Sequence, residues 1–122
     1  MALEFSIEDR RLDGDTHVIA VTGEVDLFTA PEFKERVMAP IAAEVGRVVV
    51  DLTDATFIDS SSLGVLIGAH RRLRGRGGRL MVACDVSAIL KTFRVTGLDG
   101  VFTVAPSVEE ALAAPDPDAE AA

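Results

Sequence analysis

Tryptophan and tyrosine are absent from this sequence, and its aromatic content is six phenylalanines. The stacking platforms on which single-stranded nucleic acids are bound therefore have little to be built from. Cysteine is almost absent as well. The single thiol, Cys84, permits neither an internal disulfide nor a cysteine-rich metal site, which agrees with a reducing compartment. Placed at the end of an apolar stretch, it reads as core rather than as a nucleophile. His17 and His70 stand far apart in the chain with no neighbouring cysteine, so no metal ion is expected, and nothing in the sequence asks for a cofactor. The only lysines, Lys34 and Lys91, do not follow a glycine, which excludes a phosphate-binding P-loop. The Gly-x-Ser-x-Gly frame of a serine hydrolase is missing too, and an enzyme is not expected. Positive charge is in deficit: the formal net charge is −8, which disfavours DNA, RNA and anionic lipid as partners. No apolar run approaches the ~20 residues of a membrane span, and Met1 to Ile7 has no basic leader or long apolar segment. The sequence thus reads as a cytoplasmic protein.

What is present suits one compact domain. A chain of 122 residues with 48% hydrophobic content can bury roughly two-thirds of the surface that its unfolded form exposes. Leu3, Phe5 and Ile7 alternate with polar residues as in a half-buried strand. Asp13-Gly14-Asp15 offers the positive φ values of a tight hairpin turn, and His17 to Thr22 forms the return strand, ended by Gly23. Thr29 can cap a first helix carrying Pro31 near its start and Phe33, Val37, Met38 and Ile41 at helical spacing, with Pro40 threatening a kink or an early end. Arg47 to Leu52 is β-branched and apolar, as a strand covered on both faces is. A second helix is expected from Ser60 to Leu73, with Gly64 and Gly68 one turn apart to bring it close to the sheet. Leu80 to Cys84 reads as the next strand, Val86 to Thr96 as a third helix stopped by Gly97, and Val101 to Val104 as a last short strand. Ser107 then caps a fourth helix. Strands alternating with helices after a hairpin predict an α/β fold: a mixed, mostly parallel sheet of about five strands with four helices. The predicted domain covers residues 1–113, and the acidic, proline-bearing residues 114–122 are expected to fray.

The segment richest in chemistry is Phe57-Ile58-Asp59-Ser60-Ser61-Ser62-Leu63-Gly64, where a strand's exit loop meets a helix start. Ser60 or Ser61 can serve as an N-cap. A phosphate on a serine there would sit beside the positive end of the helix dipole, where the fold tolerates it. Asp26, in Gly23-Glu24-Val25-Asp26, is either a turn or capping residue or part of a binding surface. Arg71, Arg72, Arg74, Arg76 and Arg79 form the one basic cluster and read as a solvated helix end.

These segments together resemble the STAS-domain anti-sigma factor antagonists. The resemblance rests on Asp51-Leu52, Phe57 to Ser61 and Leu63-Gly64-Val65-Leu66. It also rests on Gly23 to Asp26 with Ala30-Pro31, on Gly77-Gly78, and on Phe93 with Thr96-Gly97-Leu98, in consistent order over about residues 5 to 112. It implies a STAS fold and a partner-switching protein. The unmodified form would bind an anti-sigma factor that is itself a serine kinase of the GHKL ATPase type, releasing the sigma factor. Phosphorylation would end that binding, and a serine phosphatase would restore it. Carried over by position, the phosphoacceptor is Ser60, with Ser61 as the fallback. Glu24, Asp26, Asp59, Ser61 and Ser62 would belong to the partner-binding surface. The family usually has glycine where this chain has Ser62. The competing expectation is a STAS scaffold in a signalling or lipid-transport assembly, working without phosphorylation.

Overall fold

The computed structural model describes residues 4–116. Its strands are β1 (Ser6–Asp13), β2 (Thr16–Val25), β3 (Arg47–Ile58), β4 (Arg79–Ala83) and β5 (Thr103–Ala105), and its helices are α1 (Ala30–Ala42), α2 (Ser60–Arg74), α3 (Ser87–Thr96) and α4 (Val108–Ala113). The five strands lie side by side in chain order. β1 pairs antiparallel with β2, and the remaining neighbours are parallel. The predicted mixed sheet and four helices are thus observed.

Alternation along the central strands sorts their side chains onto two faces. Ile19, Val21, Val48, Val50, Leu52, Leu80 and Val82 join Phe33, Val37, Leu66, Leu73 and Phe93 of α1 to α3 in the main core. Val18, Val49, Met81 and Ala83 face the other way and meet Ala111 of α4 in a smaller cluster. Three helices therefore cover one face and the short α4 part of the other. Cys84 is buried against the main core, and burial pushes its thiol above the ordinary range.

Several local expectations change. The hairpin turn forms without positive φ at Gly14 or Asp15. Asp13 Oδ1 instead accepts the Asp15 N–H at 2.8 Å, a bond that also lowers the Asp13 carboxyl below its ordinary pKa. Leu3 lies outside the described residues, and β1 begins at Ser6. Gly23 does not end β2. It takes φ 90° at an irregularity in the β2–β3 register, and pairing resumes to Val25. β3 likewise continues past Leu52 to Ile58, and α1 runs on past Pro40, which lies buried inside it. Gly97 ends α3 in the left-handed region at φ 75°. A 3-10 turn, Leu98–Gly100, follows, which delays β5 to Thr103.

The connection from α2 to β4 is tight. A Cβ on Gly78 would lie 2.6 Å from the Gly46 carbonyl oxygen and 3.1 Å from Leu73. The same Gly46 oxygen accepts the Arg79 N–H at 2.8 Å, so close approach at Gly78 sets where β4 joins β3.

The residues expected to fray begin with three that are tied down. The Arg79 guanidinium donates to the carbonyls of Ala114 and Pro115 at 2.9 Å each. Arg74 makes a two-pronged contact with Asp116 at 3.0 and 2.7 Å. Residues 117–122 lie outside the described residues.

Candidate functional site

The last pairs of the β2–β3 ladder, Glu24 with Phe57 and Val25 with Ile58, fix the site. They end the two strands level with each other, so the loops that follow, beginning at Asp26 and Asp59, leave the sheet side by side. These are the carboxyl ends of parallel strands, where α/β sheets commonly carry their binding sites.

At the β3 exit the N-cap of α2 is Asp59 rather than Ser60 or Ser61. Asp59 Oδ1 accepts the N–H groups of Ser61 at 3.0 Å and Ser62 at 3.2 Å. In return the Ser62 hydroxyl accepts the Asp59 N–H at 2.9 Å and lies 2.7 Å from the Asp59 carbonyl oxygen, to which it donates. This is a capping box with serine where glutamate or glutamine is usual. It divides the three serines into two kinds. Ser62 is 0% exposed, turned back into the helix start, which corrects its assignment to the partner-binding surface. Ser60 is exposed and Ser61 half-buried, and their hydroxyls make no hydrogen bond among the described residues.

The β2 exit repeats the device. Asp26 Oδ1 accepts the N–H groups of Phe28 at 2.9 Å and Thr29 at 3.1 Å, and the Thr29 hydroxyl accepts the Asp26 N–H at 2.8 Å. The Thr29 hydroxyl, expected to cap α1, instead closes this loop, reaching the Glu24 carbonyl at 3.0 Å. Asp26 is half-buried and Glu24 exposed. Asp26-Leu27-Phe28-Thr29 and Asp59-Ser60-Ser61-Ser62 are thus the same motif at neighbouring strand ends.

The loops carry apolar side chains that sequence reasoning passed over. Phe28 is 89% exposed, Leu27 70% and Phe57 48%. Phe57 lies in the last, irregular stretch of β3, where the alternation is broken and the core positions are Ala55 and Ile58, and Leu27 and Phe28 follow the strand in the Asp26–Thr29 turn. Contiguous exposed apolar residues of this size mark interaction surfaces.

The other candidates lie apart from the site. Of the arginine cluster, Arg74 and Arg79 hold residues 114–116, and Arg76 donates to the Val45 carbonyl at 2.7 Å. His17 meets Asp9 across the β1–β2 hairpin at 3.0 Å, and the His70 ring lies 5.9 Å from that of Phe102. Among the described residues no cluster of histidine, cysteine and carboxylate side chains could hold a metal ion, and no helix is long and apolar enough to cross a membrane.

Because Ser62 closes the capping box, Ser62→Gly should destabilise the fold by about 1 kcal/mol, from lower helix propensity and the lost hydrogen bonds. Chemical denaturation of both forms tests this. Equal midpoints would show that the box contributes nothing.

Comparison with known proteins agrees with this fold. The model of the STAS domain family matches residues 7–111. The anti-sigma-B factor antagonist of Listeria monocytogenes serovar 1/2a is 33% identical over 102 residues, spanning 84% of this chain and 90% of that protein. The crystal structure of an anti-sigma factor antagonist from Mycobacterium paratuberculosis superposes with a TM-score of 0.79 at 28% identity, covering 92% of each chain. The fold is shared with unphosphorylated SpoIIAA, an anti-sigma factor antagonist, at a TM-score of 0.76 and 24% identity over 88% of this chain and 93% of that one. On the extent of these matches and on the α/β architecture that carries them, this chain belongs to the STAS domain family.

Proposed function

We propose that this chain is an anti-sigma factor antagonist controlled by phosphorylation of Ser60. In its unmodified state it binds an anti-sigma factor that is also a serine kinase of the GHKL ATPase type, and the sigma factor is freed. The kinase transfers the terminal phosphoryl group of ATP to Ser60 Oγ, whose proton is lost as ADP forms. A serine phosphatase hydrolyses the ester and resets the switch. No group of this chain is asked to do catalysis, and the exchange takes place in the cytoplasm.

The observation that carries this reading is the difference among the three serines. Ser60 is exposed at the first position of α2, while the Ser62 hydroxyl is buried and committed to Asp59. A kinase needs an acceptor oxygen it can reach and orient, and Ser60 meets that need best. Ser61, half-buried beside it, is the fallback. Glu24, Asp26 and Asp59 give the surface a negative character suited to basic residues of the kinase, and Leu27, Phe28 and Phe57 supply apolar contact area. The antagonist names of the relatives support the same role.

The immobilised protein should retain, from a lysate of its own cells, a protein with a GHKL ATPase domain. Added ATP should release that protein while one phosphate appears on a fragment containing Ser60. A retained set without such a kinase, or release with no phosphate, would sink the reading.

A further inference from the structure

A second surface of opposite character runs between α1 and α2. It is an open groove of about 840 Å³ that starts beside Leu27 and Ser61 and extends to Arg71 and Arg72 in the last turn of α2. Glycine makes its floor. Gly64 and Gly68, expected from the sequence to bring α2 close to the sheet, face away from it: a Cβ at Gly64 would meet nothing within 4 Å, and one at Gly68 only the Met38 methyl at 3.5 Å. From Gly64 to Arg72 the groove follows α2 for about 12 Å, two turns and more.

Its charge is the reverse of the whole molecule's. The formal net charge is −8, yet the lining includes Lys34, Arg71 and Arg72 and no carboxylate. Arg74, Arg76 and Arg79 of the same cluster are engaged with Asp116, the Val45 carbonyl and the 114–115 carbonyls. Lys34, Arg71 and Arg72 make no ion pair or hydrogen bond among the described residues. Stabilising the carboxy-terminal helix dipole takes a fraction of that charge and acts only within the last turn, which leaves Lys34 on α1 unexplained.

We propose that this groove docks an amphipathic helix of a partner protein, its apolar face on the Gly64–Gly68 floor and its carboxylates against Lys34, Arg71 and Arg72. Two adjacent helices cradle a third between them. Small residues let its backbone approach, and a helix presenting apolar residues at i, i+4 and i+7 suits a groove of this form. The acidic ridge of Glu24, Asp26 and Asp59 calls for a basic partner surface, whereas the groove, which adjoins that surface at Leu27 and Ser61, calls for an acidic one, and peptide binding reads it without kinase or phosphate.

The test uses a fluorescein-labelled helical peptide of about 16 residues, about 24 Å long, with leucine at i, i+4 and i+7 and glutamate on the flanks. A second peptide carries lysine in place of each glutamate. Anisotropy titration of the full chain at low salt should show saturable binding of the acidic peptide, about ten-fold or more tighter than of the basic one. Gly64→Leu, which fills the floor and raises helix propensity, should weaken binding about ten-fold without lowering the melting temperature. Arg71→Glu with Arg72→Glu should weaken it similarly. No saturable binding, equal affinity for the two peptides, or variants that bind like the parent would overturn the proposal. So would a dimer that Gly64→Leu dissolves, which would assign the groove to a second copy. Tighter peptide binding after removal of residues 117–122 would likewise overturn it, by assigning the groove to the chain's own Asp118 and Glu120.

Discussion

A phosphate on Ser60 should weaken binding of the anti-sigma partner by at least about a hundred-fold, or about 2.7 kcal/mol. The group adds roughly −1.5 to −2 charges and three acceptor oxygens at a surface that already carries Asp59, Asp26 and Glu24. Two effects of opposite sign then compete. The amino-terminal dipole of α2 favours the phosphate by about 0.3–1 kcal/mol, so the free protein stays folded. Within an interface shaped around a hydroxyl, the bulky phosphate must shed its hydration and finds no room, and its repulsion by Asp59, Asp26 and Glu24 grows as water is excluded. The second effect is larger and arises only in the complex. Calorimetric titration of the kinase with each form should therefore show the loss in affinity, with melting temperatures nearly equal. Ser60→Ala should bind like the unmodified protein and take up no phosphate, and Ser61→Ala should still be modified. Equal affinities of the two forms would remove the switch, and phosphate incorporation surviving Ser60→Ala would move the acceptor.

Gly78→Ala should destabilise the fold by about 3 kcal/mol, the upper end of what overpacking costs. The Cβ would meet the Gly46 carbonyl at 2.6 Å. That oxygen cannot swing aside as a side chain could, because it accepts the Arg79 N–H that joins β4 to β3. Gly77, its neighbour, is the control. A Cβ there would meet nothing within 4 Å, and only its φ of 80° opposes a side chain. Asparagine, which tolerates the left-handed region, should cost far less there. At roughly 4 °C per kcal/mol for a domain of this size, Gly78→Ala should melt about 12 °C lower and Gly77→Asn within a few degrees of the parent. Equal shifts for the two would mean that the contact at Gly78 relaxes.

Gly77-Gly78 shows how sequence and structure divide the information. The pair was legible as a break before a strand, but the reason for it was not. The Gly78 contact lies across the sheet, with a residue distant in sequence. The extended β3 was missed for a related reason. Thr53-Asp54-Ala55-Thr56 reads locally as a loop, and only pairing with β2 across two irregularities keeps it in the ladder. Because β2 and β3 both run on, the Asp26 and Asp59 loops emerge together, so their adjacency was available from the resemblance rather than from the residues. The cap of α2 was legible in part. Asp59 is a good N-cap residue type directly before the helical pattern, but Ser60 and Ser61 compete for the same role in the sequence, and the burial of Ser62 decides it. Gly64 and Gly68, expected to let α2 lie close to the sheet, do not face it: a Cβ at Gly64 would meet nothing within 4 Å. Val65, Leu66, Ala69 and Leu73 hold that position, which turns the glycines outward.

The paired Asp-x-x-Thr and Asp-x-x-Ser boxes have a kinetic side. The Asp26 and Asp59 carboxylates are each fastened to backbone N–H groups of their own loop, so in the proposed switch these two would meet a partner already in place. Little ordering entropy is then left to lose on association, and encounter can proceed as rigid docking of preformed surfaces steered by charge. Such a surface acts as a template: a partner that must unfold or reshape a segment to bind finds one side of the encounter already prepared.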